Sequence, residues 1–186
     1  EPMLILIFTG IGFMILEISL LQKIILLLGA PTISLAILLS SILIGMGIGS
    51  YFGAYLYSSN IHKRLYVASL LIVIYGIIFF SIHSLILDQI LGDAMWKRVV
   101  ASILMITPLA FFLGIPFPSA IQLMKKRKLG KYIPWMYGVN GSMAVLGSIT
   151  ASILTMLPGI SFAFYAGLLC YALVFLYSIS SNLKKI

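Results

Sequence analysis

The sequence predicts an all-α bundle of about six transmembrane helices, and its composition, the length of its apolar runs and the placement of its charges together support that prediction. Of the 186 residues, 62% are hydrophobic and only 9% are charged, whereas a soluble domain is about 45–50% apolar and about 25% charged. A helix needs roughly 20 apolar residues to cross a bilayer. Six crossings with short connections therefore use nearly the whole chain.

The apolar runs and the turn residues between them define the predicted spans. These spans cover residues 3–28, 32–57, 65–87, 99–124, 133–157 and 160–177. The first span ends at Gly29 and Pro31 and the fifth at Pro158, because Gly and Pro interrupt helices and favour turns. Residues 88–98, which include Trp96, carry two acids and two bases. We expect this segment to lie in the membrane interface as a loop or a short helix.

The basic residues predict the orientation of the bundle. If the six spans alternate in direction, the bases at 63–64, 125–131 and 184–185 all fall on one side, and the balanced segment 88–98 falls on the other. Basic loops stay on the cytoplasmic side, so both termini are predicted to be cytoplasmic. Cations near lipid headgroups also account for the net charge of +8. The bilayer, and not nucleic acid, is therefore the expected partner of these charges.

Glu17 is the only acid well inside a predicted span. It lies about 14 residues from the cytoplasmic end, or roughly 21 Å at helical rise. A carboxyl at this depth is costly, so we expect it to be protonated, paired or directed at a polar cavity. Gln22 and Lys23 follow, but a spacing of six residues is poor for pairing Glu17 with Lys23, which is expected to extend outward. Two interpretations stay open: a carboxyl that locks helices by a hydrogen bond, and a binding or proton-linked role.

Gly114, Pro116 and Pro118 predict a break in the fourth span. Each proline leaves the carbonyl four residues earlier, that of Phe112 or of Gly114, without its helical donor. Freed carbonyls at membrane depth need partners, and broken helices often mark transporter binding sites, although a plain kink is an equal alternative. Asn140 in the fifth span is expected near the same depth, where its amide could donate to a freed carbonyl.

Small residues predict faces for close helix packing. The glycines in question are Gly45, Gly49, Gly138, Gly141 and Gly147. Gly45 and Gly49 lie four residues apart on the second span, a spacing that allows close backbone approach, and we expect that approach beside Glu17. Residues 45–50 are not predicted to bind a nucleotide, because they lie inside an apolar helix with no preceding strand.

No catalytic residue, metal site or cofactor site is predicted. Ser142 joins Asn140 in the polar cluster, but no histidine lies where it could serve as its base. His62 precedes the third predicted span and His83 lies near its far end, so the two are poorly placed to ligate one metal. The single cysteine, Cys170, excludes an internal disulfide and a cysteine-cluster metal site.

Several segments, in order and spacing, resemble the membrane region of bacterial spermidine synthase-like membrane proteins. The similar segments are residues 12–18, 22–23, 28–32, 45–50, 113–118, 134–141 and 146–148. The resemblance implies a multi-pass protein of the bacterial inner (plasma) membrane in which a Rossmann-type domain accompanies transmembrane helices. The glycine loop and the catalytic acid of aminopropyl transfer, which that domain would supply, are not found in these 186 residues.

Three functions are expected on these grounds. The first is a non-catalytic membrane module that anchors or assembles partners, either other membrane subunits or a soluble Rossmann-type domain. The second is a small-solute carrier with its site at Glu17 and the broken fourth span. The resemblance implies a polyamine for that carrier, but a single acid within the membrane could neutralise only one of its several positive charges. The third is the membrane part of an aminopropyltransferase-like enzyme whose catalytic domain lies outside these residues.

Overall fold

The computed structural model describes residues 2–55 and 60–183, with the side chains of 84–88 and 182–183 left aside. In that part of the chain all regular structure is helical. The helices are α1 (Pro2–Leu28), α2 (Pro31–Tyr55), α3 (Ile61–Ile90), α4 (Met95–Leu113), α5 (Pro116–Lys126), a short 3-10 helix (Gly130–Tyr132), α6 (Ile133–Met156) and α7 (Ile160–Leu183). Six segments are long and apolar enough to span a membrane, with α4 and α5 together forming the fourth. The predicted all-α polytopic bundle is confirmed.

Tight turns separate the helices on the side away from the basic loops. Gly29 and Gly159 have φ values of 72° and 105°, a conformation that glycine adopts without a steric penalty. The amide of Gly159 donates to the carbonyl of Leu154 at 3.1 Å, which satisfies one of the last carbonyls of α6. Gly29, which was predicted to end the first span, and Gly159, which follows Pro158 at the end of the fifth, therefore act as helix C-caps.

The helices α3 and α4 begin earlier than the third and fourth spans were predicted to, and α3 also ends later, because the predicted spans stopped where polar residues begin. The helix α3 already begins at Ile61, so His62 lies inside it and not in a loop, and it continues to Ile90. Only residues 91–94 connect it to α4. Segment 88–98 is thus mostly the ends of two long helices, because helices can continue beyond the hydrocarbon layer where their polar residues meet headgroups or water. The predicted end of the second span and the bases at 184–185 lie outside the described residues.

The helix α1 lies at the centre of the bundle. It contacts α6 and α7 most extensively and also reaches α2, α4 and α5, while α2 packs on α4 and α3 joins α4 to α7. Two apolar clusters hold this arrangement, one centred on Leu20, Ile72 and Phe164 and the other on Leu6 and Leu65. Outward-facing apolar side chains are common in the bundle, as expected where lipid replaces water.

The break predicted between Gly114 and Pro118 is present. The helix α4 ends at Leu113, residues 114–115 form a turn, and α5 starts at Pro116. The carbonyl of Phe112, which Pro116 leaves without a helical donor, accepts from the amide of Ile115 at 3.2 Å. The break is therefore partly satisfied by its own backbone.

Candidate functional site

A cavity of about 460 Å³ lies where the broken fourth span faces α1, α2, α6 and α7. Its polar wall groups come from Thr9, Ser50, Asn140 and Tyr171, together with the backbone at Gly114. The rest of the wall is mainly apolar. Its volume falls within the range of roughly 300–1,000 Å³ that is typical of small-molecule sites.

Asn140 connects the cavity to the backbone of α1. Its Nδ2 donates to the carbonyl of Leu6 at 2.7 Å, and the hydroxyl of Thr9 donates to the same carbonyl at 3.2 Å. Gly10 permits this contact, because a Cβ there would lie 2.6 Å from the carbonyl oxygen of Asn140. Asn140 and Gly114 line the same cavity, as their expected depths suggested. The expected hydrogen bond from Asn140 to a freed carbonyl of the break is wrong, because the backbone of α1 comes closer.

The glycines of α2 form the wall behind the break. A Cβ on Gly45 would lie 2.6 Å from that of Ala110, and a Cβ on Gly49 would overlap the carbonyl oxygen of Phe111. In return, a Cβ on Gly114 would overlap the carbonyl oxygen of Met46. The two backbones therefore meet directly between α2 and α4, and not beside Glu17 on α1 as expected.

Glu17 lies one helical turn beyond the cavity. It follows the cavity residue Phe13 by four positions, so the two share a face of α1. The side chain is half-buried. Among residues 2–55 and 60–183 no group forms a hydrogen bond or an ion pair with its carboxyl. The interpretation in which Glu17 locks two helices through a hydrogen bond is therefore not supported by the described contacts.

The other members of the predicted polar cluster lie apart from the cavity. Nε2 of Gln22 donates to Oγ1 of Thr155 at 3.1 Å, which joins α1 to α6. Lys23 is buried, with its Nζ 4.2 Å from the centroid of the Phe80 ring, so the expectation that it extends outward is wrong. Phe80 of α3 reaches Lys23 at this level, and its aromatic face holds the cation. Ser142 is exposed on the outer face of α6.

The glycines of α6 divide between two faces. Gly147 packs on α1, where its Cβ would lie 2.7 Å from the carbonyl oxygen of Ile11. Gly138 and Gly141 are exposed, and a Cβ on either would meet no described atom within 4 Å. The expectation that all three pack within the bundle is therefore wrong for Gly138 and Gly141.

Several features of this region were missed in the sequence, since Thr9, Ser50 and Tyr171 were not predicted to line a site. Tyr171 is fully buried near the middle of α7, and a tyrosine far from either interface is itself a signal, since tyrosine usually anchors helix ends. Arg64, interpreted as a topology signal, is also buried. Its guanidinium donates to the carbonyls of Gly53 and Ala54, both at 3.2 Å, and to Oε1 of Gln122. Arg64 thereby joins the end of α2 to α5, on the side of the break that faces the basic loops.

Comparison with known proteins adds no relative. Models of protein families, curated proteins and solved structures gave no match to this chain. As for metals, no three of the described His, Cys, Asp and Glu side chains come together as ligands would. The interpretation of the cavity therefore depends on its own chemistry.

Proposed function

We propose that the protein is a carrier that binds a small molecule within the membrane, at the cavity beside the broken fourth span. The observation that carries this proposal is the cavity itself: about 460 Å³ bounded by the break and by Asn140. Broken helices place polar backbone at membrane depth, and in transporters such positions hold the substrate. The proposed location is the bacterial inner membrane, with both termini cytoplasmic as the basic loops indicate.

The polar groups of the cavity suit binding better than catalysis. Thr9 donates its hydroxyl proton to the carbonyl of Leu6, and neither Ser50 nor Tyr171 makes a hydrogen bond to a described general base. An activated nucleophile needs a base within hydrogen-bond reach. The apolar wall with a few hydrogen-bonding groups is instead typical of a ligand pocket.

Two matched glycine substitutions test this function. A Cβ on Gly47 or on Gly141 meets no described atom within 4 Å, but only Gly47 lines the cavity. We expect Gly47→Phe to fill the cavity and Gly141→Phe to leave it open. Each protein would be purified in lipid nanodiscs, and the small molecules that copurify would be identified by mass spectrometry.

The expected result is a compound that wild type and Gly141→Phe retain and that Gly47→Phe loses. Ala144→Phe, which alters the opposite wall of the cavity, should give the same loss as Gly47→Phe. If all four proteins carry the same molecules in the same amounts, the cavity is not a binding site and the proposal is wrong.

A second candidate, a module that assembles partner proteins, is favoured by the outer face of α6. The helix α6 is the least buried of the six spans, and Gly138, Gly141 and Ser142 are exposed on it. Small residues let a second helix approach closely in lipid. The partner could be another membrane subunit or a soluble Rossmann-type domain with its own helix, and aminopropyl transfer would then belong to that partner domain.

The same variants separate this candidate from the carrier. A protein that copurifies with wild type and Gly47→Phe but not with Gly141→Phe would support the module. A monomeric, partner-free protein in mild detergent would count against it.

A further inference from the structure

Three oxygens in the cavity wall, from Asn140, Gly114 and Thr9, can accept a hydrogen bond. Nδ2 of Asn140 donates one of its two N–H groups to the carbonyl of Leu6, and its Oδ1, which makes no hydrogen bond to a described residue, can accept. The carbonyl of Gly114 has no helical donor, because Pro118 lacks an N–H. Thr9 has committed its proton to Leu6 as well, so its oxygen can only accept. A ligand that donates hydrogen bonds is therefore favoured at these three residues.

The start of α5 does not provide the anion site that a helix N-terminus usually offers. Helix N-termini attract anions through free N–H groups and the helix dipole. Two of the first three residues of α5, Pro116 and Pro118, have no N–H. Only Phe117 among those three has an amide, so the break offers an anion few donors. The C-terminus of α4, at Leu113, brings the negative end of its helix dipole to the same place and favours a donor or a cation.

Glu17 adds an uncompensated acid one helical turn beyond the cavity wall. One turn of helix, about 5.4 Å, separates it from Phe13 in the cavity wall. The nearest base along α1, Lys23, is engaged with Phe80 on another side of the helix, and no described residue pairs with Glu17. A carboxyl inside a membrane is stabilised by a partner of opposite charge. A ligand with one positive charge would supply that partner.

The cavity is also reached from the side. The helices α2 and α6 both line it but do not pack closely on each other. On α2, Leu43 is 70% exposed and Gly47 is exposed as well. Toward the basic side, the rings of Phe117 and Tyr137 meet edge to face, with centroids 5.1 Å apart, and connect α5 to α6. Lateral access from the bilayer suits a ligand with a substantial apolar part.

On the basis of the function proposed above, we infer that the ligand is a lipophilic primary amine with a single positive charge. It enters from the bilayer between α2 and α6 and places its apolar part against the cavity wall. Its ammonium group donates to the oxygens of Asn140 and Gly114 and is attracted by Glu17. A polyamine does not fit, because its additional ammonium groups would lie against apolar walls without a partner.

Three probes test the inference: decylamine, decanol and spermidine, each radiolabelled. Equilibrium binding would be measured on the protein in nanodiscs, with protein-free nanodiscs subtracted. We expect decylamine to bind more tightly than decanol, and spermidine to show no specific binding. Glu17→Gln should weaken decylamine binding by about tenfold, because it removes an opposite charge near the ammonium group in a site of low dielectric, and leave decanol unchanged.

Two control variants make the outcomes distinguishable. Glu17→Asp keeps the charge and should retain most decylamine binding, which separates a charge effect from misfolding. Gly47→Phe should weaken decylamine and decanol alike, and Gly141→Phe should weaken neither.

Equal loss of both probes in Glu17→Gln, no loss of either, or a preference for spermidine would overturn the amine inference while leaving the carrier in place. Binding of decylamine and decanol that neither Gly47→Phe nor Ala144→Phe reduces would overturn the carrier itself.

Discussion

The glycines of α2 and those near the start of α6 have similar spacing but opposite surroundings. Gly45 and Gly49 meet the backbone and small side chains of α4, whereas Gly138 and Gly141 meet no described atom. The difference shows that glycine spacing marks where a helix can approach, and that the buried face of the helix decides whether one does. On α6 that buried face carries Gly147, nine residues and thus two and a half turns from Gly138. Gly138 and Gly147 therefore lie on opposite sides of α6.

The largest difference in stability is expected between two variants that add one methyl group, one on the packed glycines of α2 and one on the exposed glycines of α6. Gly49→Ala should lower the free energy of unfolding by about 3 kcal/mol, because the new Cβ would overlap the backbone of Phe111 and neither helix can yield locally. Gly141→Ala should raise it by about 0.5 kcal/mol, since alanine favours a helix and meets no obstacle. Titration of the micelle-bound protein with dodecyl sulfate, followed by circular dichroism, would measure both. Similar values for the two variants would contradict the contrast between the faces.

A smaller loss of stability is expected when the hydrogen bonds of Arg64 to the end of α2 are removed. Arg64→Met removes charged donors from the carbonyls of Gly53 and Ala54 and from Gln122. We expect a loss of about 2 kcal/mol in the same titration, in the range for hydrogen bonds to charged groups. Lys125→Met, which removes an exposed charge, is the control. An equal response of the two variants would mean that Arg64 acts only through charge.

The smallest effect concerns the packed face of α6. Asn140→Leu removes the hydrogen bond to the carbonyl of Leu6, and bonds of this kind within membranes contribute about 0.6 kcal/mol on average and at most about 1.7 kcal/mol. We expect a loss of about 1 kcal/mol, measured as above. An unchanged unfolding midpoint in this variant would show that Gly10 and Gly147, and not Asn140, hold α6 to α1.

The features that could be predicted from the sequence depend on local chemistry. Hydropathy located the spans, and the absent N–H of Pro116 and Pro118 located the break. Counting residues from the basic loops placed Asn140 at the depth of Gly114, and both line one cavity. Each of these inferences needs only the position of a residue along the membrane normal.

The features that could not be predicted depend on rotation about the helix axis. Apolar residues occur on every side of α1 and α2, so their hydrophobic pattern does not indicate which side meets α4 and which meets lipid. For that reason the neighbour of Gly45 and the burial of Lys23 against Phe80 were predicted incorrectly. Ser50 and Tyr171 reach the cavity only because the surrounding helices are turned toward it.

The gap between α2 and α6 changes how the affinity of this cavity should be expressed. A ligand that reaches the cavity through lipid is presented at its concentration in the bilayer, which exceeds its concentration in water by its partition coefficient. Weak intrinsic binding can then suffice to occupy the cavity, because the ligand is already concentrated in the bilayer. Its apparent dissociation constant in water would shift with the amount of lipid in the assay, whereas its value expressed as a mole fraction in lipid would stay constant.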